Sequence, residues 1–298
     1  MAEQRPADIQ VLNKELIVNM IPKRIQNSHK GTYGQILNIA GSSRYVGAAY
    51  LSSISSLRSG GGHCLLASCS DVINCVSSYC ADLTYLDLGQ SQYGTIPKDA
   101  TKLISAIANY DVVSIGCGLD TVGGVADLVI NFFKKNKTSY TPIIIDADAI
   151  NIAAQNKIFS FPLNSILTPH PLELSRLMGV PVQEIQNNRV KWTWEASKEF
   201  DSIVLLKGNE TVISAPNGKI FINHTGNSAL AKSGIGDVLT GMIAGFCAQG
   251  ATLEEAACCA VFLHGLTGEL ASKNLSEYSV LASELPKYLP FAFKMLFS

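Results

Sequence analysis

Six short apolar runs, none alternating strictly between apolar and polar residues, constrain this chain most. They are Gln35–Ala40, His63–Ser68, Asp111–Ile115, Pro142–Ile145, Ser165–Thr168 and Ser202–Leu206. A strand with one wet face alternates; a run that is apolar almost throughout is buried on both faces, as in a parallel sheet covered by helices. Residues at helical spacing separate the runs, over Ala48–Ser59, Val125–Lys134, Pro171–Met178, Asn187–Glu199 and Asp237–Ala248. This alternation predicts an α/β fold, a doubly wound and mostly parallel sheet flanked by helices. Thr211–Ala215 and Lys219–Asn223, joined by Pro216-Asn217-Gly218, predict a β-hairpin at the sheet edge. No repeat or linker divides the chain, so residues 1–298 read as a single domain. Residues 1–28 read as a helical lead-in, and 281–298, with Pro286 and Pro290, as a broken terminal helix.

Composition narrows the function. Hydrophobic residues make up 47% and charged residues 16%, enough for a large core. The formal net charge of -1 offers no electrostatic argument for nucleic acid or a membrane surface as partner. No stretch approaches the roughly 20 apolar residues needed to cross a bilayer. The first residues, MAEQRPADIQVLNKELI, lack the apolar core of a secretory signal, so the expected location is cytoplasmic. The eight cysteines form no CxxC pair and no zinc-ligand spacing, and read as buried thiols in a reducing compartment. Cys117 stands apart because it lies inside a glycine motif.

The chemistry-bearing motif is Ser233-Gly234-Ile235-Gly236-Asp237, at the start of an apolar helix. Glycines let main-chain N–H groups turn toward one point, and a helix N-terminus adds unpaired donors and a positive dipole end. Gly234, Ile235 and Gly236 would thus form an anion hole for phosphate. Asp237 beside it is either a base for a substrate hydroxyl or simply a helix cap. Lys207-Gly208-Asn209-Glu210-Thr211 follows a buried strand, where parallel sheets bind ligands. It reads as a cationic ligand loop or as an ordinary turn. In Thr168-Pro169-His170-Pro171-Leu172-Glu173, Glu173 is placed to hold Mg²⁺ through water or to favour the helix dipole, and His170 to be a ligand or a solvated loop residue. Asp146 and Asp148 follow a strand and fit hydroxyl or metal binding, or capping. Gly41-Ser42-Ser43 with Gly47-Ala48-Ala49, and Gly116-Cys117-Gly118, supply small residues at strand ends, as ligand-facing turns or plain ones. His63 and His264 read as packing residues. A P-loop, a three-glycine dinucleotide fingerprint and a GxSxG elbow are all missing from the sequence.

Taken in order, HKGTYGQILNIAGSSRYVGAAYLSSISSLRSG, IGCGLD, IIIDADAIN, LTPHPLELSRLMG, VLLKGNETVI, NHTGNSALAKSGIGDVLTGMIAGFCAQG and VFLHG resemble the ADP/ATP-dependent NAD(P)H-hydrate dehydratases, a ribokinase-like family, from His29 to Gly265. The resemblance implies repair of hydrated NADH or NADPH, with ADP or ATP and Mg²⁺ consumed to remove the water. It implies Asp237 as catalytic base. It implies Ala48 (or Ala49), Gly118, His170 and Asp237 as contacts to the hydrated dinucleotide. Lys207, Gly208, Asn209, Glu210, Thr211 and Gly236 would contact the adenine nucleotide, and Glu173 would associate with Mg²⁺. It further implies a homotetramer and a separate NAD(P)H-hydrate epimerase in the same pathway. Cys117 stands where the family usually has proline, and Ser233 and Ile235 depart from its GGTGD pattern. The alternatives are a ribokinase-like kinase of a vitamin precursor or sugar alcohol, and a nucleotide-binding regulator without turnover.

Overall fold

A computed structural model describes residues 8–100 and 107–298. Its centre is one sheet whose strands run β1 (Asp8–Val11), β2 (Gln35–Ile39), β3 (His63–Ser68), β4 (Thr84–Asp87), β5 (Val112–Ile115), β6 (Ile143–Ile145), β7 (Ser165–Leu167), β8 (Ile203–Leu206), β9 (Thr211–Ser214) and β10 (Lys219–Asn223). In space the order is β1-β10-β9-β8-β7-β6-β5-β2-β3-β4. Only the β8–β9 and β9–β10 pairs are antiparallel. β5 to β8 and β2 are buried at nearly every position, which is why they read as unbroken apolar runs.

The sheet departs from expectation at both ends. The lead-in is not wholly helical: β1 pairs in parallel with β10, and among the described residues before 21 only Lys14–Met20 forms a helix. The hairpin is therefore one strand in from the edge. β1 is short and half-exposed, with Ile9 and Val11 facing water, so no periodicity marks it as a strand. β4 carries no clear period because Thr84–Asp87 is four residues long, with two polar exposed ends around half-buried Tyr85 and Leu86. The helix expected over Asn187–Glu199 forms over Arg189–Glu199, and a short helix not expected from sequence, Val182–Asn187, precedes it; Asn188, whose φ of -136° is not helical, separates the two. At the C-terminus a 3-10 turn, Ala282–Glu284, leads into a helix over Leu285–Phe297 that contains Pro290. No helix among the described residues is long and apolar enough to cross a membrane.

The order of strands fixes where ligands can enter. The chain runs outward from β2 to β4 in one direction and from β5 to β8 in the other. The loops after β2 and β5 thus part at a topological switch point, leaving a crevice at the carboxyl ends of the strands. Helix Ile235–Ala248 lies over this region. Of its 14 residues, only Gly236 and Asp237 escape burial. It sits very close to helix Val46–Arg58, because Gly241 and Gly245 lack side chains where a Cβ would meet Ser52 O at 2.0 Å and Ser56 O at 2.4 Å. A buried polar network underlies that contact. The Asn38 amide donates to Ser52 and Ser53 hydroxyls and its carbonyl accepts from Ser114, each at 2.8 Å.

Candidate active site

The start of helix Ile235–Ala248 is built by Gly234, which adopts φ 86° as its N-cap. Among the described residues, the N–H groups of Gly234, Gly236 and Asp237 donate to no protein acceptor, whereas that of Ile235 turns back to Lys232 O at 3.4 Å. The unpaired amides are therefore not the trio expected from sequence: Asp237 replaces Ile235. Ile235 is instead buried, and its carbonyl meets His264 Nε2 at 3.1 Å. His264 is thus a packing residue that steadies the helix start, and burial holds its pKa down to about 4.

Asp237, half-buried, faces the ends of β5, β6 and β8. Burial, and then the charge of Asp146, push its pKa up to about 7. Its proton thus exchanges near neutral pH, as a general base requires. One turn along the same helix, Thr240 donates its hydroxyl to Asp146 Oδ2 at 2.7 Å. Asp146 occupies the N-cap position of helix Ala147–Gln155 but makes no side-chain cap bond. Its other oxygen accepts from Lys207 Nζ at 2.7 Å. Burial opposes the charge of Asp146, yet Lys207 and the hydrogen bonds outweigh it and hold the pKa below the ordinary aspartate value. Asp148 instead accepts the Asp120 N–H at 2.8 Å, tying the loop after β5 to that after β6.

Lys207 therefore reaches inward rather than out from its loop. Its Nζ lies 3.4 Å from where a Cβ on Gly236 would be, so one buried cation underlies the amides at the helix start. Burial works against its charge, but Asp146 and Glu173 raise its pKa above the ordinary lysine value. The rest of the segment, Gly208, Asn209 and Glu210, is exposed. Glu210 has φ 57° and pairs with His224 at 3.3 Å; the Thr211 hydroxyl donates to Gly208 O at 3.0 Å. Arg189, which sequence reasoning missed, braces this loop by donating from Nη2 to Leu206 O and Lys207 O at 2.9 and 3.2 Å.

His170 and Glu173 form a reciprocal cap on helix Pro171–Met178. His170 Nδ1 accepts from the N–H groups of Leu172 and Glu173 at 3.2 Å, and Glu173 Oε2 accepts the His170 N–H at 2.8 Å. Glu173 is 3% exposed and burial lifts its pKa to about 7. It does not fit the Mg²⁺ role expected of it. That ion keeps several waters and takes one or two carboxylates, and this carboxylate is buried, with Oε2 committed to the His170 N–H and Oε1 3.5 Å from His170 Nε2.

The switch-point crevice is lined by small residues. Gly118 (φ 62°) lies where a Cβ would meet those of Ala48 and Tyr45 at 2.7 Å. Ala48 is the half-buried member of its pair; Ala49 is fully buried beneath Gly41. The two loops are joined by Gly41 N–H donating to Cys117 O at 2.8 Å. All eight cysteines are free, and only Cys75 is exposed. A cavity of about 690 Å³ lies at the other end of the sheet, lined by Ser165, Ser202 and Ile203 where β7 and β8 begin. It contains none of these groups, and the convergence of charge at the carboxyl ends marks the site instead.

Comparison with known proteins agrees with this architecture. The family description "NAD(P)H-hydrate dehydratase" matches residues 36–291. The ADP-dependent (S)-NAD(P)H-hydrate dehydratase of Bacillus subtilis is 36% identical, over 92% of this chain and 94% of its own. A bifunctional NAD(P)H-hydrate repair enzyme of Moorella thermoacetica is 33% identical over 93% of this chain, which spans only 52% of that enzyme's length. The crystal structure of a Bacillus subtilis ADP/ATP-dependent NAD(P)H-hydrate dehydratase, co-crystallized with ATP/Mg²⁺, superimposes with a TM-score of 0.82 at 33% identity, covering 97% of this chain and 99% of that one.

Proposed function

The chain belongs to the NAD(P)H-hydrate dehydratase family, and we propose that it is a carbon–oxygen lyase that uses ADP or ATP to dehydrate hydrated NADH or NADPH and restore the reduced cofactor. One observation carries the reading: a carboxylate that titrates near neutrality and unpaired main-chain amides meet at the start of one helix, beside the switch-point crevice. The hydrated nicotinamide ring lies in the crevice against the packed pair Ala48 and Gly118, with His170 at its rim. The adenine nucleotide lies along Gly208–Thr211, its phosphates turned to the amides of Gly234, Gly236 and Asp237.

Asp237 takes the proton from the ring hydroxyl as its oxygen attacks the terminal phosphoryl group; the bond to the nucleotide breaks and the nucleotide leaves one phosphate shorter. The amides stabilise charge on the transferring group. Lys207 adds positive potential beneath them while Asp146 holds it in place. In the phosphorylated ring the nitrogen lone pair expels phosphate, and loss of a proton from the neighbouring carbon restores the double bond. Phosphate leaves far more readily than hydroxide, which is what the nucleotide contributes. Mg²⁺ accompanies the nucleotide's own phosphates. An epimerase supplies the reactive epimer, and the enzyme works as a homotetramer.

Incubating the protein with hydrated NADPH, Mg²⁺ and either nucleotide tests this directly. Absorbance of the reduced nicotinamide should recover in step with phosphate release. Flat traces with both nucleotides, with a stable phosphoester formed on another alcohol, would make the protein a kinase of this fold.

A further inference from the structure

A hydrated dinucleotide is far longer than the nicotinamide ring that the crevice takes, so its second nucleoside must run out to one side. On the β8 side stand Lys207 and the segment assigned to the adenine nucleotide. On the other side stand β3 and β4. There the loops after β2, β4 and β5 are tied together at the carboxyl end of the sheet: Ser43 N–H donates to Gly94 O at 2.8 Å, and the Thr95 hydroxyl to Val122 O at 3.4 Å. The same loops leave Tyr45 44% and Tyr93 58% exposed, an unusual pair of aromatic rings to leave in water beside a ligand crevice.

Tyr45 adjoins the crevice directly, because a Cβ on Gly118 would meet the Tyr45 Cβ at 2.7 Å. The Arg44 guanidinium lies 5.3 Å from the centroid of the Tyr45 ring. Its side chain is 70% exposed, and its one ion pair is a contact of 3.3 Å from Nη1 to Asp120 Oδ2. A guanidinium carries five N–H donors, so most of them remain free for an anion. Asp71, the other carboxylate against this loop, is already occupied by the Ser43 hydroxyl at 2.6 Å and the Gln90 amide at 2.8 Å.

We propose that Arg44 and Tyr45 form the subsite for the far half of the hydrated dinucleotide: the guanidinium holds one of its phosphates and the Tyr45 ring carries its adenosine. The proposal rests on the hydrated dinucleotide being the substrate. Arginine grips phosphate oxygens in a planar fork, and an exposed aromatic ring accepts the face of a base. The phosphate is either the pyrophosphate common to both dinucleotides or the 2′-phosphate that NADPH alone carries. Anchoring the far half fixes the ring hydroxyl against Asp237, which turns remote binding into orientation at the reacting oxygen.

The test measures KM and kcat for hydrated NADPH and hydrated NADH, at saturating ATP and at low and high salt, in the wild type, Arg44→Met, Arg44→Lys, Tyr45→Leu and Tyr45→Phe. Arg44→Met should raise the dinucleotide KM about three- to tenfold, flatten its dependence on salt, and leave KM for ATP in place; Arg44→Lys should recover part of the loss. A rise for hydrated NADPH alone identifies the 2′-phosphate, and a rise for both identifies the pyrophosphate. Tyr45→Leu should raise KM for both about fivefold or more, and Tyr45→Phe, which keeps the ring, should not. Wild-type KM and salt dependence in Arg44→Met, an equal rise in KM for ATP, or equal losses in the leucine and phenylalanine variants would overturn the proposal. If the wild type fails to restore NADPH, the functional reading falls. Nicotinamide fluorescence titrations with NADPH and NADH then decide the subsite: weaker binding in Arg44→Met supports it, and binding equal to wild type removes it.

Discussion

Lys207 Nζ and Asp146 Oδ1 meet at 2.7 Å across the end of β7, with Asp146 1% exposed. The pair joins the two strand ends flanking β7 and, through Thr240, locks helix Ile235–Ala248 to the sheet. Removing one partner of such a pair leaves an uncompensated charge. Lys207→Met should lower stability by about 3 kcal/mol in chemical denaturation, and the Lys207→Met/Asp146→Asn double variant should lose less. Equal losses in both would show that the pair is solvated rather than buried.

Asp237→Asn should reduce kcat by about 10²- to 10⁴-fold, the range for a lost general base. Calorimetric binding of ADP or ATP should remain, because the amides at the helix start are unchanged. Full activity in the variant would remove Asp237 from the mechanism.

Two opposing pH trends should coexist. Asp237 and Glu173, with pKa values raised to about 7, bind protons more tightly folded than unfolded. The stability they contribute is present below the ordinary carboxylate range and is lost as pH rises through about 7. Asp146, with its pKa lowered, behaves oppositely: its contribution is present above the ordinary range and lost as pH falls through its lowered value. Activity should rise through pH 7 as Asp237 ionises, while melting temperature declines over the same interval. Thermal scans from about pH 5.5 to about pH 8.5 should show a shallower decline in Asp237→Asn.

Gly241→Ala should be damaging although alanine favours helices. A Cβ there falls 2.0 Å from Ser52 O, so the two helices must separate. Overpacking of this kind destabilises by about 1–3 kcal/mol. Because Asp237 lies one turn away on the same helix, kcat should fall along with stability. Unchanged unfolding in urea would contradict the close helix contact.

Glu173→Gln should leave the Mg²⁺ dependence of turnover as it is, since the amide oxygen still accepts the His170 N–H. Glu173→Ala should cost about 1 kcal/mol through loss of the cap. A sharp rise in the Mg²⁺ requirement of Glu173→Gln would restore the carboxylate to the metal's coordination sphere.

Much of this molecule was readable from residue order. Runs such as Val112–Ile115 and Ile203–Leu206 declared a two-sided buried sheet, because a strand covered on both faces tolerates few polar side chains. Glycine before an apolar run marked helix Ile235–Ala248, though the sequence set its start at Asp237 and the structure sets it one half-turn earlier, at Ile235, after a left-handed N-cap at Gly234 that disfavours any side chain. β1 and β4 were illegible: each is short and half-exposed, so neither carries a period.

Partner choice inside the site was decided by tertiary structure alone. Nothing local distinguishes an aspartate that caps from one that holds a lysine; Asp146 became the latter because β6 and β8 stand two strands apart with Lys207 turned inward. Glu173 was open between a metal ligand and a helix-dipole charge and became a buried cap, and Cys117, set apart in sequence by its flanking glycines, lies against Asp146 and Asp237. Backbone conformation and burial are encoded by neighbours in sequence. The charge state and partner of a polar group depend on which remote groups the fold brings within a few ångströms of it, and on how much water is left between them.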